Sequence, residues 1–158
     1  MRLASTLFVL VLVARVISVS GQVAAPAPAA DAQDLAKEKE TFELVCGACH
    51  GTDLLEGSLR TPAEVADLLS TMQSYGASAT PEQFEIVRTH LLRAYGKANV
   101  NSANAADLAP VLDLPLETAE AVVKVRAEQG RFASPDDLKK VPGVDAAKLD
   151  ARRDRITF

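Results

Sequence analysis

From Leu35 onward, apolar residues recur at helical spacing, and no stretch alternates apolar and polar positions as a half-buried strand would. The spacing predicts a first helix over about Asp34 to Cys49. Phe42, Val45, Cys46 and Cys49 fall there at i, i+3, i+4 and i+7. A second helix starts at Thr61, a good N-cap, with Pro62 at the first helical position and Glu64 completing a capping box. Its stripe is Val65, Leu68, Leu69 and Met72, and Gly76 marks its end. The third helix repeats the device with Thr80, Pro81 and Gln83. Phe84, Val87, Leu91 and Tyr95 form its stripe, and Gly96 stops it. The composition changes at Lys97-Ala98-Asn99, and residues 99–158 hold no Cys, His or Met. Further helices are expected near Asn104, Glu117, Pro135 and Asp145, with capping pairs Asn104/Asp107 and Ser134/Asp137. The fold class expected is all-α.

The first residues read as an export signal. Arg2 gives the positive start, Leu3 to Val19 is almost wholly apolar, and Ser18, Ser20 and Gly21 offer cleavage positions. Arg15 interrupts the apolar run and argues against a membrane span. The organisation expected is a signal peptide over 1–21, an Ala/Pro-rich linker over 22–34, one helical unit over 35–97 and another over 99–158. Cleavage leaves no membrane span and a periplasmic or otherwise exported protein; retention of the segment leaves a membrane anchor. With 158 residues, no Trp and 4% aromatics, a large aromatic core is excluded. The net charge of −4 gives no overall attraction to nucleic acid or anionic membrane.

Both cysteines sit in Cys46-Gly47-Ala48-Cys49-His50, the C-x-x-C-H spacing of covalent c-type haem attachment. Two thioether bonds would fix the porphyrin, and His50 would bind the iron from one face. Export agrees, because this haem is attached outside the bacterial cytoplasm. Two other readings use the same residues: a redox disulfide, or a zinc site completed by His50 and His90. The opposite face of a haem iron usually takes Met or His, and beyond the signal only Met72 and His90 remain. Met72 lies on the apolar stripe of the second helix; His90 lies beside the main stripe of the third.

The region 36–96 resembles small single-haem cytochromes c of the kind attached to bacterial dehydrogenases. The resemblance rests on Met72-Gln73-Ser74-Tyr75-Gly76-Ala77 followed by Ala79-Thr80-Pro81-Glu82. It implies one covalent haem c on Cys46 and Cys49, with His50 as proximal and Met72 as distal iron ligand and His90 as the alternative. Only 22 residues separate Met72 from His50, fewer than in larger cytochromes c.

Residues 99–158 resemble a tandem helix-hairpin-helix domain, closest to the competence-protein DNA receptor family. The matching residues are Val100-Asn101-Ser102-Ala103-Asn104, the run from Arg126 to Val144, and the closing Arg155-Ile156-Thr157-Phe158. In this fold a tight hairpin offers backbone N–H groups to a phosphate, helped by glycine and basic residues. The second hairpin, Val141-Pro142-Gly143-Val144, keeps its glycine, so Lys140, Gly143 and Lys148 are the candidate phosphate contacts. The first, Leu112-Asp113-Leu114-Pro115-Leu116-Glu117, has none and is acidic. Residues 99–158 carry nine Lys and Arg against ten Asp and Glu, which weighs against a phosphate binder.

The function expected is therefore a non-enzymatic electron carrier. One haem passes single electrons between periplasmic redox partners, such as a dehydrogenase and a terminal acceptor, and the helix-hairpin-helix unit docks protein. The alternative is a periplasmic or surface DNA-binding and uptake protein with an accessory haem.

Overall fold

Two threonines set the register of the N-terminal half in the computed structural model, which describes residue 30 and residues 32–158. The backbone N–H of Thr61 donates to Glu64 Oε2 at 2.6 Å, and the Glu64 N–H returns to Thr61 Oγ1 at 3.3 Å. Thr80 and Gln83 make the same exchange at 2.9 and 3.2 Å. Each box satisfies backbone donors that a helix start leaves open. Helix α1 spans Ala32–Cys46, a 3-10 turn Asp53–Leu55, α2 Pro62–Ser74 and α3 Pro81–Tyr95. Gly76, with φ of 101°, ends α2 as predicted, and the Ala77 N–H reaches back to the Met72 carbonyl at 3.0 Å.

The C-terminal half holds strand β1 (Ala98–Asn99), α4 (Ala105–Leu112), α5 (Leu116–Gln129), α6 (Pro135–Leu138), α7 (Ala146–Ala151), a 3-10 turn Arg153–Arg155 and strand β2 (Ile156–Thr157). Asn104 caps α4 by accepting from the Asp107 N–H at 2.9 Å. Asp137 Oδ2 gathers the N–H groups of Ala133 and Ser134, both at 3.1 Å, at the start of α6. β1 and β2 pair in parallel, Ala98 with Ile156 and Asn99 with Thr157. This ladder is a departure from an all-helical expectation. Its strands are two residues long, too short for alternation to register in sequence. The molecule is otherwise mostly helical.

Three other expectations change or lie out of view. The first helix stops at Cys46, not Cys49, because the chain turns at Gly47-Ala48-Cys49. The signal peptide over 1–21 lies outside the described residues. So does most of the linker over 22–34, whose last positions from Ala32 already belong to α1.

One apolar core runs through the described residues, with α3 as the shared element. Phe42, Val45, Val65, Val87 and Leu91 fill its first half; Leu108, Val111, Leu112, Ala119 and Val122 fill the second. Gly96 lets the end of α3 meet α4: a Cβ there would lie 2.6 Å from Val111 Cγ2 and 2.2 Å from the Leu92 carbonyl oxygen. Arg155 then completes α3, donating to the carbonyls of Arg93 at 3.0 Å and Ala94 at 2.9 Å. These are carbonyls that a helix end leaves without partners.

Candidate functional site

The end of α1, the following turn and α2 enclose a cavity of about 390 Å³. Cys46, Cys49, His50 and Met72 all line it, with Leu68 and Leu69 supplying an apolar wall. Cys46 is half-buried, and burial pushes its thiol pKa up; Cys49 and His50 are exposed. No disulfide joins the cysteines. His50 Nδ1 lies 2.7 Å from the Gly51 carbonyl oxygen. A carbonyl only accepts, so Nδ1 is the donor in this contact. Leu54 and Tyr75, which also line the cavity, are 71% and 80% exposed.

His90 is not part of this wall. Its ring stacks on Phe42 with centroids 4.7 Å apart. Burial lowers its pKa, and nearby Glu38 pulls the other way. The structure thus brings Met72, not His90, to the cavity that His50 borders. Among the described residues no group of three or more His, Cys, Asp or Glu is placed to hold a metal, so the zinc set of Cys46, Cys49, His50 and His90 is not assembled.

The second candidate region is the pair of hairpins. Gly143 has φ of 86°, and a Cβ on it would meet Thr118 Oγ1 at 2.9 Å. Only glycine fits that combination without strain. Asp113 holds the corresponding place in the first hairpin with φ of 53°, in the left-handed region that Asp tolerates better than most residues. The missing glycine therefore leaves the hairpin shape intact.

The basic residues around the second hairpin carry carboxylate partners. Lys140 Nζ is 2.8 Å from Asp137 Oδ1, and Lys148 Nζ is 3.4 Å from Asp113 Oδ2. Lys139 bonds Asp150 at 2.8 Å, which raises its pKa. Arg152 turns inward to the Arg93 carbonyl at 2.7 Å and is not displayed for a ligand. Lys140 and Lys148 retain 74% and 43% side-chain exposure, and such surface pairs are weak and salt-screened.

Sequence reasoning missed Arg93. Its guanidinium grips Glu38 of α1 through two bonds, at 3.0 and 3.1 Å, and Asp113 of the first hairpin at 3.0 Å. One signal was available: Glu38 falls four residues before Phe42, on the apolar face of α1, where an unpaired carboxylate would be costly. Arg88 makes a comparable ion pair with Asp107.

Residues 94–157 match the helix-hairpin-helix motif family. An uncharacterized protein of Haemophilus influenzae is 36% identical over 63 residues, covering 39% of this chain and 56% of that protein. The endonuclease/exonuclease/phosphatase family domain-containing protein 1 of Rattus norvegicus is 37% identical over 60 residues, 38% of this chain and 10% of its own length. The human protein of that name matches to the same extent. The chain thus spans little more than half of the first relative and a tenth of the others. No solved structure matches.

The C-terminal part is a helix-hairpin-helix domain, and this corrects the electron-carrier reading. The family match supports a nucleic-acid-associated role over electron transfer with a protein-docking module. Part of the acid in the charge count of residues 99–158 is committed within the fold. Asp107, Asp137 and Asp145 serve helix starts, and Asp107 and Asp113 pair with arginines of α3. The formal total of residues 99–158 therefore counts carboxylates that are engaged within the fold, as the lysines of the second hairpin are.

Proposed function

We propose that the chain is an exported DNA-binding protein whose second hairpin contacts the phosphate backbone, with one covalent haem as an accessory group in its N-terminal half. The observation that carries the DNA reading is the hairpin Val141–Val144. Its left-handed Gly143 lies between Lys140 and Lys148 within the stretch that matches the helix-hairpin-helix family. A backbone that turns this tightly brings its N–H groups close to an anion, and flanking lysines add charge without sequence selectivity.

The accessory haem is supported by the donor set around the cavity. Two thiols, an imidazole and a thioether line one apolar space, so the residues fit the group. Cys46 and Cys49 would hold it covalently, and His50 and Met72 would face the iron. When bound, it supplies a large apolar body and a redox-active iron. The Gly51 carbonyl fixes the His50 ring by accepting from Nδ1. Leu54 and Tyr75 would then cover an apolar edge instead of facing water.

The test of the DNA reading is binding of the full chain to random-sequence duplex DNA across a salt series. Affinity in the range of about 10⁻⁴ to 10⁻⁶ M that falls steeply with salt is expected. Lys140→Ala with Lys148→Ala should flatten that dependence. No binding at the lowest salt overturns the reading. For the haem, protein exported by a cell competent in cytochrome c maturation should carry a covalent mass increment, absent in a Cys46→Ser, Cys49→Ser variant.

A further inference from the structure

The two hairpins are related by more than sequence. Asp113 and Gly143 both take left-handed φ, and each is followed by an apolar residue, Leu114 or Val144. Each also approaches the helix that follows the other hairpin. Asp113 Oδ2 lies 3.4 Å from Lys148 Nζ on α7. A Cβ at Gly143 would touch Thr118 on α5. Thr118 and Lys148 each lie five positions after the left-handed residue of their own hairpin. The arrangement is thus a pseudo-two-fold pair, and Asp113 breaks its symmetry by adding a carboxylate.

From this we infer, resting on the DNA reading above, that Asp113 is an intramolecular stand-in for phosphate and sets how strongly the hairpin face binds nucleic acid. Its carboxylate bridges Arg93 at 3.0 Å and Lys148 at 3.4 Å. Arg93 is also held by Glu38, so it contributes no free charge. The charges of the bonded set Glu38, Arg93, Asp113 and Lys148 cancel, and neighbouring Arg152 is turned inward to the Arg93 carbonyl. A DNA phosphate approaching Lys148 has to displace Asp113 and also meets its negative charge. With an uncharged residue at 113, the same lysine is a free cation beside the second hairpin. The first hairpin keeps its shape for its own reason, since Asn and Gly both tolerate the left-handed region.

The experiment compares the full chain with Asp113→Asn and Asp113→Gly for binding to random duplex DNA over a salt series, each also in a Lys148→Ala background. Asp113→Asn keeps an oxygen that can accept from Arg93, and thermal melts verify that both variants fold. Both variants should bind several-fold more tightly, with the slope of log affinity against log salt steeper by about 0.9, one more phosphate engaged. Lys148→Ala should remove that gain, so that in the Lys148→Ala background the Asp113 variants and the chain with Asp113 bind alike. Unchanged affinity in both variants, beside measurable binding of the unsubstituted chain, overturns the role of Asp113 and leaves the DNA reading standing. A gain that survives Lys148→Ala also overturns it. If no form binds at the lowest salt, the DNA reading itself fails and the inference falls with it.

Discussion

On the C-terminal side of α3, Leu108, Val111, Leu112, Ala119 and Val122 are sealed from water completely. On the other side, Leu68, Leu69 and Met72 face a cavity of about 390 Å³ whose rim leaves Tyr75 and Leu54 mostly exposed. Both halves are short helices started by similar caps, so local structure does not separate them. What differs is how the interior is finished. The helix-hairpin-helix half closes with its own side chains and with hydrogen bonds such as Arg126 to the Val100 and Ala103 carbonyls. The half with the cysteines stops short of closure. Thiol, imidazole and thioether sit at that opening, which is why a large apolar group belongs there in the function proposed above.

The sharpest way to break this contrast is to cut a side chain on each side. Leu112→Ala should cost about 2–5 kcal/mol in urea unfolding, because its surroundings are fully packed. Leu54→Ala in haem-free protein should stay within about 0.5 kcal/mol, since that side chain is 71% exposed. Equal losses would show that the two interiors are alike.

Next in size is the glycine pair. Gly143→Ala combines left-handed backbone with the Thr118 contact and should destabilise by about 1–3 kcal/mol. Gly76→Ala meets the backbone penalty alone, with nothing within 4 Å of the added Cβ, and should lose less. Their difference, measured by the same unfolding curves, isolates how tightly the two hairpins press together.

A cap on the N-terminal side comes third. Thr80→Ala removes one half of a capping box and should cost about 1 kcal/mol by thermal or urea unfolding. A loss comparable with Leu112→Ala would mean that α3 depends on its start more than on its core.

The smallest effect is a pH dependence on the C-terminal side. Asp137 has its pKa lowered from 3.8 to about 2, first by the Lys140 hydrogen bond, then by Ser134 and by the Ala133 N–H. Its folded-state value lies below the unfolded one, so its stabilisation is present above pH 3.8 and fades as pH falls towards 2. Asp137→Asn should therefore be less stable than the unsubstituted chain near neutral pH and indistinguishable from it in acid. A gap that stays constant across acid titration would assign the effect to packing instead.

Features that depend on neighbouring residues were legible in the sequence. Thr61-Pro62-Glu64 and Thr80-Pro81-Gln83 announce their helices because a cap and its partner lie within one turn. Met72 lines the same cavity as Leu68 and Leu69, in keeping with its place on the apolar stripe of α2. Contacts between distant residues were not legible. Arg93 and Glu38 are 55 positions apart, and Arg155 caps α3 from about 60 away, so neither leaves a local pattern. The left-handed Asp113 was hidden for another reason. Its sequence lacks the glycine that advertises the turn, and its charge drew attention to an altered surface while the backbone kept its form.

The pairing of residues 98–99 with 156–157 has a consequence for how the molecule is made. The chain that opens the helix-hairpin-helix half must wait, during synthesis, for the segment that closes it. Until Arg155 emerges, the end of α3 keeps open carbonyls, and Val100 lacks the Thr157 carbonyl that its N–H reaches at 3.0 Å. Such a long loop closure is slow compared with forming the individual helices. The helix-hairpin-helix half is therefore latched last, when residues 156–157 become able to pair with 98–99.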